Sequence, residues 1–191
     1  FEWNTINDYI IKRPWNEVYH ITVNQILEAY SKKGIFDKNI AEIFYKPFFN
    51  AKDINMQITL KEFFEITNIE LHFFSTDINK FQLEDISYIT HPDLELITAV
   101  VMSCAIPILI SPICIDNKCY IDGGLLCNYP IKYCILRTTN VEEILALKNA
   151  YIENNNEINN NSTLLEFIMN FISKIINNVS FMFDNSEIQN N

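Results

Sequence analysis

An α/β fold, a layered sheet with helices against it, is what these 191 residues predict, on three observations. Segments with apolar residues at i, i+3, i+4 and i+7 alternate with apolar runs too short to be helices, the pattern of a sheet interleaved with helices. Hydrophobic residues make up 49% of the chain and aromatics 13%, enough for one sizeable core, and the length suggests one domain. A short apolar run, Cys119 to Ile121, ends in Asp122 and is followed at once by Gly123 and Gly124, which use two of only three glycines.

The elements follow in chain order. Thr22 to Lys33 places Val23, Ile26, Leu27 and Tyr30 at helical spacing, with Gly34 as the C-terminal stop. Thr59 is suited to cap a short helix, since Glu62 stands three residues on and completes a capping box. Glu70 to Thr76 reads as a strand, because its apolar run Leu71 to Phe74 is too short for a helix of its own. A helix is expected from about Asp93, with Leu96, Ile97, Val100, Val101 and Cys104 on one face and Pro107 ending it. Leu94 to Ile115 is the longest apolar stretch, but Glu95, Pro107 and Pro112 make it a helix followed by extended chain and not a membrane span. Cys119 to Ile121 is the strand that delivers Asp122. Glu143 to Leu147 suits another strand, although Val141 to Lys148 is equally compatible with a helix. Beyond an Asn-rich loop at 152–162, Thr163 to Met182 repeats Leu164, Phe167, Ile168, Phe171, Ile172, Ile175, Ile176 and Val179 at helical spacing, a strongly amphipathic helix. Its polar face pairs Lys174 with Glu166 and asparagines and lacks the basic residues of interfacial helices. That favours packing against the sheet or a neighbouring domain over transient contact with a membrane surface. Residues 184–191 read as a tail.

Composition excludes several classes of function. A net charge of -10 argues against nucleic-acid binding, which rests on clustered Lys and Arg, and against charge-driven binding to anionic lipid. The five cysteines, Cys104, Cys114, Cys119, Cys127 and Cys134, include no C-x-x-C, and His20, His72 and His91 are scattered, so no metal site is expected. Cysteines that serve as small buried apolar residues in a reducing compartment are the simpler expectation, and no secretory signal is visible in these residues. The asparagine tract from Asn154 to Asn161 reads as a solvated loop.

Chemistry concentrates at Asp122. A carboxylate at a strand's end followed by two glycines sits where the backbone turns sharply and another group can approach closely. Taken alone, Asp-Gly-Gly is a common turn, and an aspartate that merely caps it is the simpler reading. The surrounding text changes this. Thr59 to Thr67 reads T-x-K-E-x-x-x-x-T, Leu71 to Asn79 is a strand-like run ending in Thr-Asp-x-Asn, Ala99 to Pro107 reads A-x-x-x-S-x-x-I-P, Pro112 to Gly124 reads P, seven residues, Y-x-D-G-G, and Asn128 to Pro130 is N-x-P. This ordered succession resembles the patatin-like phospholipase family, with relatives expected among large DNA viruses or bacteria and a match running from about Asn4 to Tyr151.

The resemblance implies a three-layer sheet flanked by helices and a Ser–Asp dyad in which Asp122 is the base, with Gly123 and Gly124 setting its backbone geometry. Ser103 falls at a family position on the helix beside the site and is expected to pack there, not to act as nucleophile. Tyr120, Asn128 and Pro130 match flanking positions. Asp77 also ends a strand, but no glycine follows it, so a turn-capping role is expected. His72 and His91 have no part in such a dyad, which argues against a Ser-His-Asp triad. The family's nucleophile stands on a G-x-S-x-G elbow and its oxyanion hole on a glycine-rich loop, and neither occurs here. The chain begins at Phe1, so it is read as the C-terminal part of a longer frame, cut after the elbow. It would lack the N-terminal strands of the sheet, hold the base without the nucleophile, and be inactive by itself. The implied function is a serine-type lipid acyl hydrolase acting on phospholipid or neutral glycerolipid, without cofactor, in a cytoplasmic or virus-associated setting. Two alternatives stay open: a catalytically silent lipid-binding relative, and an interaction protein that docks through its C-terminal helix.

Overall fold

The computed structural model describes residues 2–148 and 157–188. Expectations for residues 149–156 and 189–191, which take in the domain boundary at Tyr151, the first part of the Asn-rich loop and the end of the tail, lie outside the described residues.

Four helices and one short strand open the chain: α1 (Trp3–Lys12), α2 (Trp15–Val18), α3 (Val23–Lys32), β1 (Gly34–Phe36) and α4 (Asn39–Asn50). Aromatic contacts join α1, α2 and α4, with Trp15 stacked on Tyr19 and Phe44 and Tyr9 edge-on to Phe48. Thr22 caps α3 through a capping box with Gln25. The helix stops where expected, but the residue in the left-handed conformation is Lys33, at φ 63, and not Gly34. Gly34 is there for a different reason. A Cβ on it would lie 2.3 Å from the Ser111 nitrogen, because β1 runs directly against β4 (Ile108–Ile110) as a parallel pair.

The main sheet has four antiparallel strands in the order β3 (Gln82–Ile86), β2 (Phe73–Asp77), β6 (Lys118–Asp122) and β5 (Ile113–Ile115). The strand expected at Glu70–Thr76 therefore begins three residues later and includes Asp77. Helix α5 (Leu60–Thr67) starts with the expected box, Thr59 N–H donating to Glu62 Oε2 at 2.8 Å and Glu62 N–H donating to Thr59 Oγ1 at 3.2 Å. Thr59→Ala is expected to cost about 1 kcal/mol, the usual worth of such a cap, read as a shift in the urea midpoint.

Helix α6 (Leu96–Cys104) lies on one face of this sheet against β2 and β6. A single buried face was expected, yet Leu96, Ile97, Thr98, Ala99, Val101 and Met102 are all buried while Val100 is half-buried and Cys104 exposed. The helix is sandwiched between the sheet and α4, so most of its circumference is core. On the opposite face, Phe74 meets Tyr133 of α7 (Ile131–Arg137) with ring centroids 4.8 Å apart, and Arg137 pairs with Asp85. Helix, sheet and helix thus form three layers, the α/β architecture expected, with the core formed by Ile86, Leu96, Ile97, Val101, Met102 and Tyr120.

One expectation fails beyond this point. Residues 141–148 form neither strand nor helix but a 3-10 turn at Val141–Glu143 and irregular chain, since Leu145 and Leu147, 86% and 85% exposed, bury little against the described residues. Helix α8 (Leu164–Ile188), opened by a Thr163–Glu166 capping box, packs against the 3-10 turn Gly123–Leu125 at the end of β6. Its outward stripe, Leu164, Phe167, Phe171 and Ile175, is exposed. Among the described residues no helix is long and apolar enough to cross a membrane.

Candidate active site

Asp122 is the last residue of β6, held from several sides. Its N–H donates to the Ala105 carbonyl at the end of α6, 3.1 Å away, and its own carbonyl accepts from Thr76 Oγ1 at 3.2 Å. One residue earlier, the Ile121 carbonyl and the Met102 carbonyl of α6 each lie 2.7 Å from Ser75 Oγ. Ser75 and Thr76 are fully buried, so two hydroxyls of β2 tie the end of β6 to the strand beside it and to α6. Thr76 was read in the sequence only as part of the Thr-Asp end of a strand, and Ser75 was not singled out, its polarity after the apolar Phe73 and Phe74 being its one mark.

The side chain of Asp122 turns into the loop that follows. Its Oδ1 accepts the Gly124 N–H at 2.7 Å, capping the Gly123–Leu125 turn. Neither glycine takes a positive φ, so conformational freedom is not what the Gly-Gly pair provides. Close approach is. A Cβ on Gly123 would stand 2.3 Å from the Phe74 carbonyl oxygen, and one on Gly124 would stand 3.0 Å from both Asn128 Oδ1 and Asp122 Oδ1. Asn128 is thereby placed beside the Asp122 carboxylate, across Gly124.

Burial pushes the Asp122 carboxyl above its ordinary pKa, because the charged form loses hydration, and the Gly124 N–H opposes that shift. Its charge in turn adds to burial in raising the Cys104 thiol at the end of α6. A basic carboxylate with one oxygen fixed by a backbone N–H can accept a proton from a hydroxyl brought to it.

The other candidates fall into place around this point. Ser103 is half-buried on α6. Asp77 is fully buried at the end of β2, its Oδ1 accepting from Asn79 N–H at 3.1 Å and Cys119 N–H at 3.2 Å, while Oδ2 has no hydrogen-bond partner among the described residues. Tyr120 packs in the core, and its hydroxyl donates to Glu84 Oε2 at 2.9 Å. Burial and that contact push its pKa up to about 12. Lys118 completes the group, 2.6 Å from Glu84 Oε1. Pro130 immediately precedes α7. His72 contacts Asp85 at 2.7 Å and Glu70 at 2.9 Å, and His91 contacts Thr90 at 2.9 Å. No hydrogen bond links either histidine to Asp122 among those found for the described residues. No group of three His, Cys, Asp or Glu side chains among the described residues is placed to hold a metal ion. A cleft of about 920 Å³ runs between α8 and Ile106 and has apolar walls at Met169, Ile172 and Ile176, with Ile106 next to the Ala105 that holds Asp122. Asp122 itself is not part of its wall.

A layered α/β sheet with a half-buried aspartate at a strand end before two glycines narrows the class, and comparison with known proteins gives the family. The family model for patatin-like phospholipases matches residues 3–135, and the chain belongs to that family. It is also 39% identical over 84 residues to a protein of Invertebrate iridescent virus 6 named "Probable lipid hydrolase 463L", an alignment covering 44% of this chain. The chain spans less than a third, 29%, of that relative's length. The expected kinship with proteins of large DNA viruses is therefore met.

Proposed function

We propose that the protein of which these residues form part is a lipid acyl hydrolase working through a Ser–Asp dyad, with Asp122 as the base. The observation that carries this reading is the half-buried Asp122, fixed at the end of β6 by Ala105, Thr76 and Gly124 within a chain of the patatin-like family. A serine outside these 191 residues supplies the nucleophile, since no G-x-S-x-G occurs among them. Its Oγ–H proton passes to Asp122 as Oγ attacks the ester carbonyl. The protonated carboxyl then gives that proton to the departing alcohol, leaving an acyl-serine. Water resolves the acyl-enzyme, its proton taken by Asp122 and returned to the serine as the fatty acid leaves. None of these steps calls for a metal or organic cofactor. The outward stripe of α8, beside the turn that follows Asp122, favours brief contact with a zwitterionic or neutral lipid surface, since the acidic chain would repel an anionic one. The 191 residues by themselves are expected to be inactive, holding base without nucleophile or oxyanion donors.

The acid limb of the pH profile tests the role given to Asp122. Only the ionised carboxylate accepts the serine proton, so activity falls as the pH drops through its pKa. Burial raises that pKa, and kcat/KM for fatty-acid release is expected to decline at a pH above the ordinary aspartate range. A profile that stays flat down to the ordinary aspartate pKa would remove Asp122 from the role of base.

A further inference from the structure

The β5–β6 hairpin carries two thiols that the chemistry above leaves unused. Its two-residue loop, Asp116 and Asn117, has φ 51 and 63, the paired left-handed residues of a type I′ turn, which fixes a tight antiparallel register. That register sets Cys114 directly opposite Cys119. Opposite residues of an antiparallel pair project to the same face. Both main-chain polar groups of Cys119 turn to the other neighbour, its carbonyl accepting from Ile78 N–H at 2.9 Å and its N–H donating to Asp77 Oδ1 at 3.2 Å. Cys114 and Cys119 are therefore a non-hydrogen-bonded pair, whose Cα atoms in general approach to about 4.5 Å. That separation falls within the roughly 4.4–6.8 Å that a disulfide spans. The two thiols are near enough for Cys114 to raise the pKa of Cys119. Cys114 is exposed and Cys119 half-buried, and both border an open hollow of about 460 Å³ at the hairpin tip, with Asn79, Asp116 and Lys118 around it.

We propose that Cys114 and Cys119 form a reversible dithiol–disulfide site whose reaction partner is a low-molecular-weight disulfide of the glutathione type. The exposed Cys114 thiolate attacks one sulfur of oxidised glutathione, breaking its S–S bond, forming a mixed disulfide and releasing one glutathione thiolate that takes up the proton lost by Cys114. Cys119, deprotonated in turn, attacks the Cys114 sulfur and expels the second glutathione. The protein dithiol has then lost two electrons and two protons, and oxidised glutathione has become two reduced molecules. Burial and the Cys114 thiol push the Cys119 pKa up to about 11, which leaves the exposed Cys114 as the thiol that attacks first. A disulfide across a non-hydrogen-bonded strand pair at an exposed tip belongs with the strained, accessible bonds that thiols readily reduce. It would join the edge strand β5 covalently to the strand that ends in Asp122. The site does not depend on the hydrolase reading.

The test equilibrates the complete protein with oxidised and reduced glutathione, blocks residual thiols, and maps the cysteines by fragmentation mass spectrometry. The wild type is expected to show a Cys114–Cys119 disulfide that reduced glutathione reverses, and the Cys119→Ser variant to stop at a glutathione adduct on Cys114. A wild type whose Cys114 stays reduced, keeps glutathione, or pairs with another cysteine would overturn the proposal. So would a Cys119→Ser variant that gains no adduct.

Discussion

Gly123→Ala is expected to destabilise the fold by about 3 kcal/mol, the upper end of what overpacking usually costs. The added Cβ would lie 2.3 Å from the Phe74 carbonyl oxygen, 2.5 Å from its carbon and 3.0 Å from the Ser75 nitrogen. All three are backbone atoms of β2, which is paired on both sides, to β3 and to β6. No side-chain rotation relieves such a contact, so either the central strand or the turn must move. Ser75 and Thr76 bind the end of β6 from that same stretch of β2, and a shift there displaces Asp122 as well. The urea midpoint of the complete protein should fall sharply and activity with it. Alanine at Gly124 makes an instructive contrast, because its Cβ would meet the side-chain oxygens of Asn128 and Asp122 at 3.0 Å. That substitution should disturb the carboxylate more than the fold. A Gly123→Ala protein with an unchanged midpoint would show that β2 and the turn are not in the close contact described.

Asp122→Asn is expected to separate activity from stability. Losing a positioned general base costs roughly 10²- to 10⁴-fold in rate, and the loss should appear in kcat, since the proton moves only as the transition state forms. Stability should move the other way. Folding raises the pKa of this carboxyl, so its ionised form opposes folding. The wild type carries that cost in full at pH values above the raised pKa and sheds it as the pH falls through the window down to the unfolded-state value. Asparagine bears no charge, keeps an oxygen to accept the Gly124 N–H, and should give a thermal midpoint at neutral pH no lower than that of the wild type, without this part of the pH dependence. A variant that lost both turnover and fold would make Asp122 a structural residue first.

The fold class and the position of Asp122 were legible in the sequence because both depend on local signals. Strand, acid and two glycines stand in consecutive residues, and the Thr59–Glu62 box is a three-residue spacing. What escaped reading depends on partners far along the chain. Ser75 reaches Met102 and Ile121, 27 and 46 residues away, and a buried hydroxyl looks in sequence like any polar residue at a strand's end. Gly34 suggested only a helix stop, and Gly123 a sharp turn with room for a close approach; that the groups which approach are Ser111 and Phe74 is revealed only by the strand pairing. Helix α6 was read as one-faced because its apolar residues repeat at helical spacing, yet it is covered by sheet on one side and α4 on another. The Cys114–Cys119 pairing was also out of reach, since spacing alone does not distinguish a hairpin register from its one-residue slip.

The central claim is that Asp122 is the base of a lipid acyl hydrolase. Its most direct test is fatty-acid release from phosphatidylcholine vesicles by the complete protein beside its Asp122→Asn variant, both shown to be folded. Release by the wild type that drops at least about 100-fold in the variant is the predicted result. Equal release by the two proteins, or none from the folded wild type, would contradict it.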